Sequence, residues 1–148
     1  MDCIFCKIVK GEIPCHKIWE NKDFVAILDI HPNTEGVTLV IAKAHYDSYV
    51  FDLPEKVYLN LMKASKKVAK LLEKGLDVKK IAMVFEGQGV NHIHTKLYPM
   101  HKVNLNKFGE LSKGKYLEEY PGYITTLVGP LRSNEELSKV AKKIRGEN

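Results

Sequence analysis

Gln88-Gly89-Val90-Asn91-His92-Ile93-His94-Thr95-Lys96-Leu97-Tyr98-Pro99 sets two histidines and a lysine at every second position, with Ile93 and Leu97 in the gaps. On a β-strand, successive side chains point to opposite faces, so His92, His94 and Lys96 share one face about 7 Å apart. That is too far for direct bonds between side chains but close enough for all three to line one site. Behind a Gly-x-Gly turn, two imidazoles and an ammonium can bind and attack a phosphorus centre. A half-exposed strand with polar residues outward is the competing reading of His-x-His alone. The rest of the chain has to decide between them.

Four more strands are expected around this one. His16 to Glu20 and Phe24 to Leu28 flank an Asn21-Lys22-Asp23 turn, Thr38 to Ile41 is strongly β-branched, and Ile81 to Phe85 precedes Glu86-Gly87-Gln88-Gly89. Val57, Leu61, Ala64, Val68 and Leu72 repeat at helical spacing and predict a helix over Pro54 to Lys74. Asp52 with Glu55 resembles a capping box at its start, and Gly75 can close its end. A second helix fits Asn134 to Arg145, with Ser133 and Glu136 as its capping pair. Strands that join by short hairpins, plus helices, predict an α+β domain with a mostly antiparallel sheet. Tyr116, Tyr120, Tyr123 and a Pro121-Gly122 turn suggest an ordered extension in the last third of the chain.

At 148 residues, one domain with a real core is expected. With 45% apolar and 28% charged residues the composition is that of a soluble globular protein. No run of about 18 apolar residues occurs, so no membrane-spanning helix is expected. The first residues lack the pattern of a signal peptide, which predicts a cytoplasmic protein with reduced cysteines and no disulfide framework. The net charge of +5 favours anionic partners, whether nucleotides, nucleic acid or acidic lipid, and does not choose among them. Arg132 and Arg145 are the only arginines. Recognition of nucleic acid usually adds arginine clusters or exposed aromatics to the lysines, so a nucleic-acid partner is not expected.

Cys3-Ile4-Phe5-Cys6 is a Cys-x-x-Cys pair, a spacing at which two thiolates can share one Zn²⁺, although a redox pair has the same form. A closed tetrahedral site needs two more ligands, and His45 and His92 are the candidates. Cys15 reads as an ordinary small apolar residue. His16, His31 and His101 have no spacing argument and read as surface or core-edge histidines.

Three blocks together resemble the histidine triad (HIT) superfamily. Cys3-Ile4-Phe5-Cys6-Lys7-Ile8 with Gly11-Glu12-Ile13-Pro14 is similar to the N-terminus of its bacterial and archaeal members. Leu28-Asp29-Ile30-His31-Pro32, followed by Gly36 to His45, is similar to its middle block, and Gln88 to Pro99 to its signature, His-φ-His-φ-His-φ-φ. The resemblance implies a HIT-like fold, an antiparallel five-stranded sheet with two helices, assembled as a homodimer with a joined sheet. The motifs place a HIT domain core in residues 1–103, with 104–148 as a C-terminal extension packed on the same domain and ending in a helix.

The resemblance also implies a function: cleavage of nucleoside phosphoramidates or dinucleoside polyphosphates through a covalent nucleotidyl-histidine on His94. The substrate would be an AMP-containing purine nucleotide. Nucleotidyl transfer or phosphorolysis, and nucleotide binding without turnover, are the alternatives. A structural zinc would be held by Cys3, Cys6, His45 and His92, the four ligands already chosen on chemistry. Ile4, Phe5, Ile27 and Ile30 would surround the base and Asp29 would take the ribose hydroxyls. Gln88 and Gly89 would lie at the nucleotide, with the Gly89 N–H offered to phosphate. A flat apolar slot suits a purine, and one carboxylate can accept from two hydroxyls. For Ile27 and Ile30, plain core packing is an equal reading. The chain departs from the family at four places. Lys96 stands for the third signature histidine as a partner of the phosphoryl oxygens, Val37 replaces a common histidine, Gly89 lacks a hydroxyl, and the short Phe85-Glu86-Gly87 loop leaves no counterpart for an asparagine that usually lies nearby.

Overall fold

The computed structural model describes residues 3–102 and 131–147. Its elements are α1 (Ile4–Val9), β1 (Lys17–Glu20), β2 (Phe24–Leu28), β3 (Thr38–Ala42), α2 (Glu55–Leu76), β4 (Ile81–Val84), β5 (His94–Pro99) and α3 (Asn134–Arg145). The strands form one antiparallel sheet in the order β1-β2-β3-β5-β4. This is the expected α+β fold with all five strands. The readings made for Tyr116, Tyr120, Tyr123 and Pro121-Gly122 lie outside the described residues.

The turn into β2 forms as its residues predict. The Asn21 Oδ1 accepts from the Asp23 and Phe24 N–H groups at 2.9 and 2.7 Å, closing the chain on itself. Every residue of β2 and β3 is buried, because both faces of the sheet are covered. On one face α2 and α3 pack over Phe24, Ala26, Leu28, Val40, Ala42, Ile93 and Leu97. On the other, Phe5 of α1 joins Val25, Ile27, Leu39 and Ile41. Register extends this second face to β5. His94 lies opposite Ile41, which lies opposite Val25, and Lys96 lies opposite Leu39, which lies opposite Ile27. Paired residues share a face, so His94 and Lys96 emerge on the α1 side and Thr95 and Leu97 on the α2 side. The buried hydrogen bond between Thr95 Oγ1 and Ser65 of α2, 3.0 Å, agrees.

Several local expectations are corrected. The described residues hold three helices where two were expected, because α1 is only six residues long and too short for apolar periodicity to reveal. β5 begins at His94, not at His92. The backbone before it turns aside to bond Ile93 N–H to the Tyr46 carbonyl, 2.9 Å. Asp52 and Glu55 form no capping box. Asp52 ends a 3₁₀ turn over Val50–Asp52, and Pro54 occupies the N-cap of α2 with no side-chain bond. The Ser133–Glu136 box of α3 forms in full. Cys15, read as apolar, is exposed.

Gly75 does not close α2 either. The helix runs through it to Leu76 and caps on Asp77, whose φ of 50° is left-handed. A methyl group at Gly75 would collide with the Ile144 backbone, so the glycine is there to let α3 approach. Gly75→Ala is therefore expected to destabilise the domain by about 1–3 kcal/mol through overpacking, although alanine favours helix by roughly 1 kcal/mol. Calorimetry should show a melting midpoint lowered by roughly 2–12 °C. An unchanged or higher midpoint would refute the close approach.

Candidate functional site

Four side chains converge where α1, the segment after β3 and the segment before β5 meet. Cys3 caps α1 and Cys6 lies one turn further, so both sulfurs face the same way. Their Sγ atoms stand 3.4 and 3.6 Å from His92 Nδ1, and Cys6 Sγ is 3.4 Å from His45 Nδ1. The two Nδ1 atoms are 3.2 Å apart, and one ligand atom from each of the four residues lies within 4.8 Å of the others. His92 Nε2 is 2.7 Å from the Ala42 carbonyl, which can only accept. Nε2 therefore carries the proton and Nδ1 presents its lone pair to the cluster, as an imidazole ligand requires. Burial, first, and the neighbouring His45 and His94 push His92 below the ordinary histidine range, despite the Ala42 hydrogen bond, so the ring is held neutral. Burial, then Cys3, pushes the Cys6 thiol up. A divalent cation would offset that cost by stabilising thiolate. Two sulfurs and two imidazoles, one of them oriented by the Ala42 carbonyl, are the donor set of a zinc site.

His94 sits two residues on, 7% exposed, with the Phe5 ring edge-on at 5.0 Å between centroids. Its Nδ1 is 2.7 Å from the His92 carbonyl. By the same logic Nδ1 bears the proton and Nε2 keeps a free lone pair. Burial lowers the His94 pKa. The His92 carbonyl opposes this, Lys96 lowers it further, and Glu86 and Asp29 pull the other way. The net effect is a neutral, oriented imidazole, which is the form that attacks an electrophile.

Lys96 is not a free cation reaching for phosphate. Its Nζ lies 3.4 Å from Asp29 Oδ2 and 3.6 Å from Glu86 Oε1, and its side chain is 13% exposed. Burial works against its charge, but Asp29, Tyr98 and Glu86 outweigh it and raise the Lys96 pKa. The other oxygen of Asp29 accepts the His31 N–H at 2.8 Å. Both oxygens expected to take ribose hydroxyls thus already have partners. Val37, in the place of a family histidine, is 1% exposed, and its carbonyl accepts the Asp29 N–H at 2.9 Å.

The residues assigned to the base divide. Phe5 and Ile27 are buried together, whereas Ile4 and Ile30 are 47% and 49% exposed. Gln88 and Gly89 are exposed in the loop before β5. A Cβ on Gly89 would meet nothing, while one on Gly87, at φ 65°, would collide with Ser48. Gly87 is thus the glycine that the turn requires.

Sequence reasoning missed two residues. Glu86 was passed over because no spacing links a loop carboxylate to Lys96, and only β4–β5 pairing, with Val84 opposite Lys96, brings it close. Asn91 bonds the Ser48 N–H at 2.9 Å and Asp47 at 2.8 Å, tying the His92 segment to the one bearing His45. Its place beside His92 was the one available signal.

Comparison with known proteins follows the same lines. The HIT domain family matches residues 10–103. A HIT-like protein of Methanocaldococcus jannaschii is 36% identical over 115 residues, covering 74% of this chain and 88% of that protein. The adenosine 5'-monophosphoramidase HNT1 of Saccharomyces cerevisiae is 33% identical over 127 residues, covering 75% of this chain and 78% of its own. A zinc-bound histidine triad family protein from Mycobacterium smegmatis superposes with a TM-score of 0.70 at 26% identity, covering 99% of this chain and 92% of that one.

Proposed function

This chain belongs to the HIT-domain family, and from that premise we propose that it is a nucleotide hydrolase cleaving nucleoside phosphoramidates or dinucleoside polyphosphates. The observation that carries the reading is the His94 ring, anchored through Nδ1–H with Nε2 free and the Lys96 ammonium on the same strand face. The Nε2 lone pair attacks the α-phosphorus, the bond to the leaving amine or phosphate breaks, and a nucleotidyl-histidine forms. Water then attacks that phosphorus, the P–N bond breaks, and nucleoside monophosphate leaves. One difficult displacement becomes two easier ones. The Gly89 N–H steadies the phosphoryl oxygens, Lys96 adds its charge from between Asp29 and Glu86, and Phe5 and Ile27, with Ile4 and Ile30 at the rim, face the base. Asp29 holds Lys96 and meets the ribose only by sharing its oxygens.

Cys3, Cys6, His45 and His92 hold a structural zinc in this reading, since four protein ligands leave no open position for a reacting water. Among the described residues no helix is long and apolar enough to cross a membrane. A homodimer is what the family resemblance implies. The β4 edge, where Met83 is 48% exposed, is where a second copy would extend the sheet. Residues 1–103 would be the HIT core and 104–148 its extension. The packing of α3 on α2 through Leu137, Ala141 and Ile144 supports an extension that ends in a helix held on the same core.

Intact-mass spectrometry after rapid quenching with an adenosine phosphoramidate or a diadenosine polyphosphate tests the proposal. An AMP adduct on the parent, absent from His94→Ala, is the expected result. Neither adduct nor free AMP would leave a nucleotide-binding protein without turnover.

The state of Lys96 favours one variation. A lysine held charged by two carboxylates is a poor proton donor, so leaving groups that depart as anions, and nucleotidyl transfer to a phosphate acceptor, suit it better than amines do. Because the Lys96 pKa is raised, its charge persists as pH rises and is lost only above the ordinary lysine value of about 10.4. The pH profile of kcat/KM is expected to show no alkaline fall attributable to Lys96 below that value. A limb near pH 8 that disappears in Lys96→Arg would contradict this.

A further inference from the structure

On the face of the sheet away from His94, a cleft of about 780 Å³ opens between α2 and the β1–β2 hairpin. Lys56, Lys63 and Lys67 line it from one stripe of α2, Lys22 from the hairpin turn, and Lys43 from the residue after β3. Lys43 is paired with Glu20 at 3.1 Å. Among the described residues, Lys22, Lys56 and Lys63 have no carboxylate partner, and Asp23 is the cleft's one acidic lining residue. Lys67 lies 5.4 Å from the ring centroid of Trp19, which also lines the cleft. The first turn of α2 enters at Lys56 and Val57 with no side-chain cap, adding the positive end of a 22-residue helix. Like charges gathered from three elements around one concavity repel one another, and a multivalent anion would reverse the sign of that interaction.

We propose that this cleft is a second ligand site that takes a polyphosphate chain, inorganic or carried by a nucleotide. The volume lies within the range of small-molecule sites, about 300–1,000 Å³. Every cation present is a lysine, a point charge that suits a compact, charge-dense anion and does not demand bidentate geometry. A nucleic-acid backbone spreads its charges along an extended track. These lysines instead converge on one cavity.

Trp19 is the chain's single tryptophan, so its fluorescence reports on the cleft directly. Full-length, zinc-loaded protein is titrated with tripolyphosphate in the presence of saturating AMP, which fills the His94 site. The expected result is a saturable change in Trp19 emission that weakens with added salt. The same change with ATP at similar affinity means that the phosphate chain alone is read. Binding of ATP at least tenfold tighter means that the base is read as well.

Lys56→Glu with Lys63→Glu is expected to weaken tripolyphosphate at least tenfold while leaving phosphoramidate turnover unchanged. Lys66→Glu with Lys74→Glu changes the net charge equally outside the cleft and is expected to weaken binding less than threefold. Absence of saturable binding, full competition by AMP, or equal losses in both double variants would overturn the proposal. So would an RNA oligomer that binds with this lysine dependence when tripolyphosphate does not.

Discussion

Alanine at position 94 is expected to lower turnover of an adenosine phosphoramidate by at least about 10⁴-fold, the scale on which removal of a nucleophile acts. No neighbour can take its place. The next imidazole, His92, directs Nδ1 at the two sulfurs and commits Nε2 to the Ala42 carbonyl. Lys96, raised in pKa and clamped by Asp29 and Glu86, has no lone pair to offer near neutral pH. AMP binding should change only a few-fold, because Phe5 and Ile27 hold their places in the apolar cluster through the sheet. Steady-state kinetics beside calorimetric AMP titration separates the two effects. Turnover within tenfold of the parent would rule out covalent catalysis by His94. Loss of AMP affinity in proportion to rate would point to a collapsed site.

Serine in place of Cys3 is expected to reduce zinc from about one ion per chain to well below half, measured by elemental analysis after gel filtration. Cys3 Sγ is one of two sulfurs beside His92 Nδ1, and a hydroxyl is a poor substitute for thiolate on zinc. Zinc-finger peptides draw about 10–16 kcal/mol from their metal, but this domain has two apolar clusters of its own. A loss of about 3 kcal/mol, or roughly 6–12 °C in melting midpoint, is therefore expected. Turnover should fall as well, because the carbonyl that orients the His94 ring belongs to His92 itself. Releasing the His92 side chain frees the backbone that aims the nucleophile. Full zinc occupancy in Cys3→Ser would refute the ligand assignment, and unchanged kinetics in metal-depleted protein would refute the coupling.

The features of this fold that were legible in the sequence share a short range. The Asn21 turn, the β-branched β3, the alternation of His94 and Lys96 and the Ser133–Glu136 cap each depend on residues a few positions apart. Backbone geometry alone determines what such residues do. Gly75 misled for the same reason. Locally it is a helix stop, and only the passage of Ile144 over it shows why a glycine is needed inside the helix. The four candidate ligands were legible as residue types, because a Cys-x-x-Cys pair needs two more donors to close a tetrahedral zinc site and imidazole is one of the few side chains that supplies them. Their meeting depends on where the Cys3–Cys6 turn, the exit of β3 and the approach to β5 come to rest.

By itself, then, the sequence determined the strands, the α2 and α3 helices, the candidate ligands and that His94 and Lys96 share a strand face. Tertiary structure alone decided that His94 is anchored at Nδ1, that Lys96 is clamped between Asp29 and Glu86, and that five lysines ring a cleft on the opposite face. The division has a physical cause. Periodicity tells which way a side chain points, and chemistry tells what it can hold. Which charge it meets depends on strand register and helix packing, and those are properties of the whole assembled sheet.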